Sequence, residues 1–209
     1  MGIRLHHLND SRSMRILWLL EEAQLPYEIV RYQRDASTHL APAALKAIHP
    51  LGKSPVVEID GKVIAESGAI VEYIIKKYAP HLAPDEQDAC YMEYLQWIHF
   101  AESSAMLPAL LKIFNQFEKN TGQTLNFLDT YAEVEFDKVF TYLNDYLATR
   151  EFMVGQHLTG ADFMLGFVVS LVTERFNPGL QYPHILRYAQ RMAAIPSWQK
   201  AQQLDALPA

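Results

Sequence analysis

Sixteen consecutive residues, GKSPVVEIDGKVIAES at 52–67, constrain the fold more than any other part of the chain. Asp60-Gly61 supplies two residues that tolerate positive φ, the requirement of a tight antiparallel turn, and VVEI and KVIAE flank it with β-branched residues. Pro55 suits the first position of a strand, because its missing N–H would break a ladder further in. Directly behind the hairpin, Ser67 is an N-cap candidate for a helix reaching about Tyr78, with Ile70, Tyr73, Ile74 and Tyr78 spaced to face a sheet. A hairpin backed by a helix is half of a mixed α/β layer.

The residues upstream supply the other half. Residues 2–8 read as a strand, NDSRS as turn and cap residues, MRILWLLEEAQ as a helix stopping ahead of Pro26, and YEIVRYQ at 27–33 as a second strand. A right-handed crossover makes these two strands parallel. After the loop RDASTHL, Pro42 opens a short helix over 42–48. The order βαβαββα over residues 1–78 is the thioredoxin-like arrangement. Two prolines in APHLAPDEQ break the periodicity and place a linker at 79–86. The remainder, 87–209, shows helical periodicity near 87–118, 123–149, 161–174, 184–194 and 197–205 and no strand signals, so an all-α C-terminal domain is expected. Pro108 should kink or interrupt the first of these helices, and Thr159-Gly160-Ala161-Asp162 matches a capping box.

At 209 residues the chain is long enough for two small domains. A net charge of -6 argues against a nucleic-acid surface, which needs clustered cations to displace counterions from phosphate. The single cysteine, Cys90, excludes an internal disulfide, a CxxC pair and a multi-thiolate metal site, and it fits a reducing compartment, with the cytoplasm as the expectation. MGIRLHHLND has no apolar signal core and ILWLL at 16–20 is too short to span a bilayer, so no membrane role is expected.

The 52–67 stretch also has chemistry to offer. A helix N-terminus gathers unpaired N–H groups and the positive end of the dipole. There the Ser67 hydroxyl and N–H can hold a carboxylate while Glu66 accepts an ammonium group. Lys53 can hold a second carboxylate, and a cis Ser54-Pro55 bond would turn the Ser54 N–H and C=O outward toward an extended ligand. A zwitterion at one end and an anion at the other describe a small peptide. The plainer readings are a trans bond, a structural cap and a solvated charge.

In sequence, order and spacing, HPLGKSPVVEIDGKVIAESGAIVEYI, NDSRSMRILWLLEEAQLPYEIV and FMVGQHLTGADFML resemble segments of the glutathione S-transferase superfamily, in its bacterial and fungal serine-type (theta-like) branch. The resemblance implies a glutathione site with Glu66 and Ser67 on the γ-glutamyl head, Ser54-Pro55 on the cysteinyl part, and Lys53 on the glycyl end with His39 beside it. It implies glutathione as co-substrate, no metal, and a homodimer. Members activate the thiol with Tyr, Ser, Cys or Asn near the end of the first strand. No Tyr or Cys precedes residue 27 here, which leaves Ser11 and Ser13, with Ser11 nearer the strand end, Ser13 as helix cap, and Arg12 or Asp10 as alternatives. A free thiol is only a few per cent ionised at neutral pH, and a hydroxyl donor at a helix N-terminus that lowers its pKa by roughly two units contributes about 2.7 kcal/mol. The thiolate would then attack a small hydrophobic electrophile held between the domains, where Tyr94 and Trp97 are expected to line its pocket. A glutathione-dependent peroxidase or disulfide reductase, and a non-enzymatic interaction module, are the alternatives on the same fold.

Overall fold

Residues 2–122, 126–177, 179 and 181–208 are described by a computed structural model. Strand β1 (Ile3–Leu8) leads through helix α1 (Ser13–Glu22) to β2 (Glu28–Tyr32), which pairs parallel with β1 from Arg4↔Glu28 to Leu8↔Tyr32. The short α2 (Leu45–Ile48) precedes β3 (Val56–Ile59) and β4 (Lys62–Ala65), with α3 (Ser67–Tyr78) behind them. Asp60 and Gly61 make the hairpin turn at φ 52° and 73°, and the sheet runs β2-β1-β3-β4. Ile3, Leu5, Val57 and Ile59 share one core with Ile16, Leu17 and Leu20 of α1.

Two local expectations are corrected. Helix α3 buries Ile70, Val71, Ile74 and Ile75, so its apolar stripe is rotated from the expected one. Tyr73 and Tyr78 instead send their hydroxyls to Asp60 at 2.9 and 2.5 Å, joined there by Lys77. Ser67 is the first helical residue and not the cap; Glu66 takes the cap position.

A 3₁₀ turn at Pro80–Leu82 leads into the helical half, built of α4 (Tyr91–Phe100), α5 (Met106–Asn120), α6 (Asn126–Tyr146), α7 (Gly160–Phe176), α8 (Pro183–Ala193) and α9 (Pro196–Asp205). The expected start of α6 at 123–125 and the expected outer limits at residues 1 and 209 lie outside the described residues. Helix α4 starts four residues later than expected because Asp85 and Asp88 draw the preceding backbone N–H groups into a turn. The interruption foreseen at Pro108 falls just ahead of it, as a π-helical segment over Ala101–Ala105. Pro108 has no N–H and its ring crowds the carbonyl of Ser104, and widening the preceding turn relieves both problems.

The two halves meet across α1, whose residues Ser13 to Leu20 are all buried. Trp18 packs edge-on against Phe163 of α7 and Trp198 of α9, each at 4.8 Å, and donates to Ser197 Oγ at 3.0 Å. Gly166 lets α7 approach this ring, since a Cβ there would stand 2.8 Å from Trp18 Cζ3. The capping box forms as expected: Asp162 accepts from Thr159 N at 2.9 Å, from Met153 N at 2.8 Å and from the Tyr188 hydroxyl at 2.8 Å. Among the described residues no helix is long and apolar enough to cross a membrane.

Candidate functional site

A cavity of about 160 Å³ opens where the loop before β3, the start of α3, the first turn of α1 and the π segment converge. Arg12, Lys53, Ser54, Pro55, Glu66 and Ser67 line it, together with His49 and Glu102. The Ser54-Pro55 bond is cis, and the Ser54 hydroxyl donates to the His6 carbonyl at 2.8 Å, which fastens this turn to β1. Glu66 sits at φ 69°, ψ 110°, a conformation that costs a residue with a Cβ about 1–3 kcal/mol. The surrounding turn therefore holds Glu66 in an orientation it would not take in isolation.

The Ser67 hydroxyl accepts from Arg15 Nη1 at 2.9 Å. A hydroxyl has one proton and two lone pairs, so this contact leaves its proton free to donate into the cavity. Arg15 has no solvent exposure; its Nε donates to the Met164 carbonyl at 3.0 Å and Nη1 also pairs with Glu102. Burial lowers its pKa to about 10, and Glu102 opposes that shift. Glu102 accepts as well from Arg12 Nε at 2.9 and 2.8 Å, so one carboxylate from the helical half bridges two cations of α1's first turn. Reading the sequence alone missed Arg15, Glu102 and His49, a further lining residue. The signal for Arg15 was a charge inside the otherwise apolar run MRILWLL.

The two serine candidates lie at the mouth of α1. Ser13, expected as the cap of α1, is its first helical residue and Arg12 takes the cap position without a side-chain cap bond, while Ser11 Oγ accepts the Ser13 N–H at 3.2 Å. Ser11 and Ser13 hydroxyls are 2.8 Å apart, Ser13 Oγ accepts from Leu8 N at 3.2 Å, and it lies 2.8 Å from His7 Nδ1. Ser13 is fully enclosed. Ser11 borders a second cavity, of about 220 Å³, together with Asp10, Met14, Phe167, Leu171 and Trp198. Arg12, the next residue, lines the first cavity, so consecutive residues of this turn border the two spaces.

Three expected residues fall elsewhere. His39 is exposed and its ring stacks on Phe117 at 6.2 Å, and it does not line the cavity. Trp97 is 0% exposed, enclosed by Phe100, Tyr142 and Tyr146. Tyr94, 3% exposed, packs under α7 at Gly160 and faces a groove beside the 80–87 segment. Aromatics at helical spacing on α4 point into the core, and the apolar wall beside Ser11 comes from α1, α7 and α9 instead.

The sequence matches the description "Glutathione S-transferase, N-terminal domain" over residues 2–76 and "Glutathione S-transferase, C-terminal domain" over 109–200. It is 32% identical to Glutathione S-transferase 3 of Schizosaccharomyces pombe, over 93% of this chain and 84% of that one. The chain belongs to the glutathione S-transferase family. A crystal structure of a glutathione S-transferase from Actinobacillus pleuropneumoniae superposes with a TM-score of 0.86 at 32% identity, covering 97% of this chain and 92% of that one. A glutathione transferase homolog from Lodderomyces elongisporus, crystallised with two GSH per subunit, shares the fold at 19% identity and a TM-score of 0.82, over 98% and 99% of the two chains. Probable elongation factor 1-gamma 1 of Arabidopsis thaliana is 26% identical over 100% of this chain and 51% of its own length. Family membership thus carries the thioredoxin-like sheet and the helical half.

Proposed function

We propose that this protein is a glutathione transferase that ionises the thiol of bound glutathione for attack on a small hydrophobic electrophile. The observation that carries the reading is the convergence, in one cavity, of Lys53, the cis Ser54-Pro55 turn and the strained Glu66 beside Ser67. In this reading Glu66 takes the ammonium and Ser67 the carboxylate of the γ-glutamyl head, the Ser54 backbone pairs with the cysteinyl unit, and Lys53, with His49 beside it, takes the glycyl carboxylate. The sulfur then lies at the Ser11–Arg12 junction, where a hydroxyl donor and the amino end of α1 favour the thiolate. The electrophile occupies the second cavity against Met14, Phe167 and Leu171. The protein works as a homodimer in the cytoplasm, as its family implies.

Loss of a charge-assisted hydrogen bond weakens binding by roughly tenfold to a hundredfold. Ser67→Ala should therefore raise KM for glutathione by about that factor, while Ser11→Ala lowers kcat. If both variants conjugate an activated aryl chloride with wild-type efficiency, the site is misassigned. Turnover of hydroxyethyl disulfide in preference to the aryl chloride would shift the activity to a glutathione-dependent reductase or peroxidase. A second reading, an interaction module without catalysis, draws on the elongation factor relative that aligns with the whole chain. Failure to bind immobilised glutathione would favour it.

A further inference from the structure

A line of four polar side chains runs inward from the Ser11 cavity and ends on the last helix. Ser11 Oγ is 2.8 Å from Ser13 Oγ, which is 2.8 Å from His7 Nδ1. On the far side of the imidazole, Nε2 lies 2.9 Å from Asp205 Oδ1, a close polar contact outside hydrogen-bond alignment. His7 and Ser13 are enclosed, and Asp205 at the end of α9 reaches His7. His7 Nδ1 is thus engaged by Ser13, while Nε2 meets the Asp205 carboxylate by proximity alone.

Counting protons gives the line a direction. Asp205 favours a proton on Nε2 of a neutral imidazole, which leaves Nδ1 as an acceptor. Leu8 N–H fills one lone pair of Ser13 Oγ, so the Ser13 proton goes to His7 and its other lone pair accepts from Ser11. The Leu8 carbonyl, at 3.1 Å, competes for the Ser13 proton over a longer contact. Ser13 N–H fills one lone pair of Ser11, and the Ser11 proton points inward to Ser13. What remains on Ser11 is one free lone pair at the cavity. In the resting state Ser11 thus presents an acceptor, the feature needed to receive a proton from S–H.

We propose that His7, held by Asp205, is the positioning base for the bound thiol, reached through the Ser11 and Ser13 hydroxyls. The inference rests on the reading that the sulfur meets Ser11. In the step, the S–H bond breaks and its proton goes to Ser11 Oγ. The original Ser11 proton passes to Ser13 Oγ, and the original Ser13 proton passes to His7 Nδ1. Both hydroxyls are regenerated, the thiol becomes a thiolate, and the imidazole becomes an imidazolium beside the Asp205 carboxylate. Ser11 then donates to the thiolate, so one displacement both removes the proton and supplies the stabilising donor. With an aryl chloride the thiolate displaces chloride, and the relayed proton returns to solvent by the reverse path after product release. The other charges facing this region are Arg31, opposite His7 in the β1–β2 register, Arg34, which feels Asp10, Arg12 and Asp205, and Asp10, Glu174 and Arg175, which border the Ser11 cavity together with Asp205 itself.

The test is the ultraviolet absorbance of bound glutathione thiolate followed against pH, with kcat and KM measured on the same samples. His7→Gln should raise the titration midpoint by about one unit, leaving about tenfold less thiolate below it. Its kcat should fall by about the same factor at slightly acidic pH and recover at alkaline pH, with KM for glutathione within twofold. Ser13→Ala should do the same, and the double variant should lose no more than either single one. Asp205→Asn, on a half-buried helix end that tolerates the change, should shift the midpoint the same way by less. A midpoint unchanged in both His7→Gln and Asp205→Asn overturns the relay; if His7→Gln does not fold, an unchanged Asp205→Asn is sufficient. Loss of activity in Ser11→Ala with normal His7→Gln rejects the relay alone. Normal activity in Ser11→Ala rejects the sulfur placement beneath it.

Discussion

Replacing Glu102 with Gln tests whether the helical half braces the peptide site. The carboxylate joins Arg12 and fully buried Arg15, and Arg15 in turn donates to Ser67. Removing one partner of a buried ion pair typically costs about 3–5 kcal/mol, because the remaining charge has lost its solvation and its counterion. Glu102 is 35% exposed, so water offsets part of that loss, and the Gln carbonyl still accepts one hydrogen bond. A cost of about 2–3 kcal/mol is the expected result, read from urea unfolding at neutral pH. Repeating the substitution in an Arg15→Met background isolates the pair, since only the half-exposed Arg12 contact is then at stake. There it should cost under about 1 kcal/mol, which leaves a coupling energy of about 1–3 kcal/mol. Equal losses in the two backgrounds, or a single-variant loss below about 0.5 kcal/mol, would show that Arg15 is held by its carbonyl and packing contacts alone.

Three further outcomes follow from the same geometry. Burial pushes the Asp162 carboxyl up to about 6, so the folded state keeps a proton that the unfolded state has lost between about pH 4 and 6. Stability attributable to this group falls as pH rises through that window, by up to about 3 kcal/mol, and Asp162→Asn should flatten the curve obtained from denaturant titrations there. Gly166→Ala gains about 1 kcal/mol of helix propensity but drives a methyl into the rigid Trp18 indole. Overpacking of this kind costs about 1–3 kcal/mol, so a lowered Tm is expected and a raised one would refute the close approach. Glu66→Gly removes the positive-φ penalty and should stabilise the apo protein by up to about 1 kcal/mol while abolishing retention on glutathione resin; unchanged retention would remove Glu66 from the site.

The legible part of the site was the part written locally. Lys53, Ser54-Pro55, Glu66 and Ser67 lie within 15 residues of one another, and the hairpin between them fixes their spacing whatever else the chain does. Ser11 and Arg12 could be placed at the mouth of a helix for the same reason. Arg15, Glu102 and Asp205 were not legible, because each matters through a partner tens to hundreds of residues away, brought close only when the helical half packs on α1. His39 and His49 were indistinguishable by composition, and the loop's path decides between them. Tyr94 and Trp97 had the right residue type and spacing for a pocket wall, yet helical periodicity gives a face without saying what covers it.

The sequence by itself determined the order of elements, the sheet's mixed pairing, the turn at Asp60-Gly61, the interruption near Pro108 and the capping box at Thr159. All of these depend on backbone preferences and short-range hydrogen bonds that act within a few residues. Only the tertiary structure decided which side of α3 is buried, that a carboxylate from the π segment meets two arginines, and that a histidine on β1 lies between Ser13 and the last helix. Those outcomes depend on desolvation and close packing between segments remote in sequence, and no local pattern encodes how such surfaces meet.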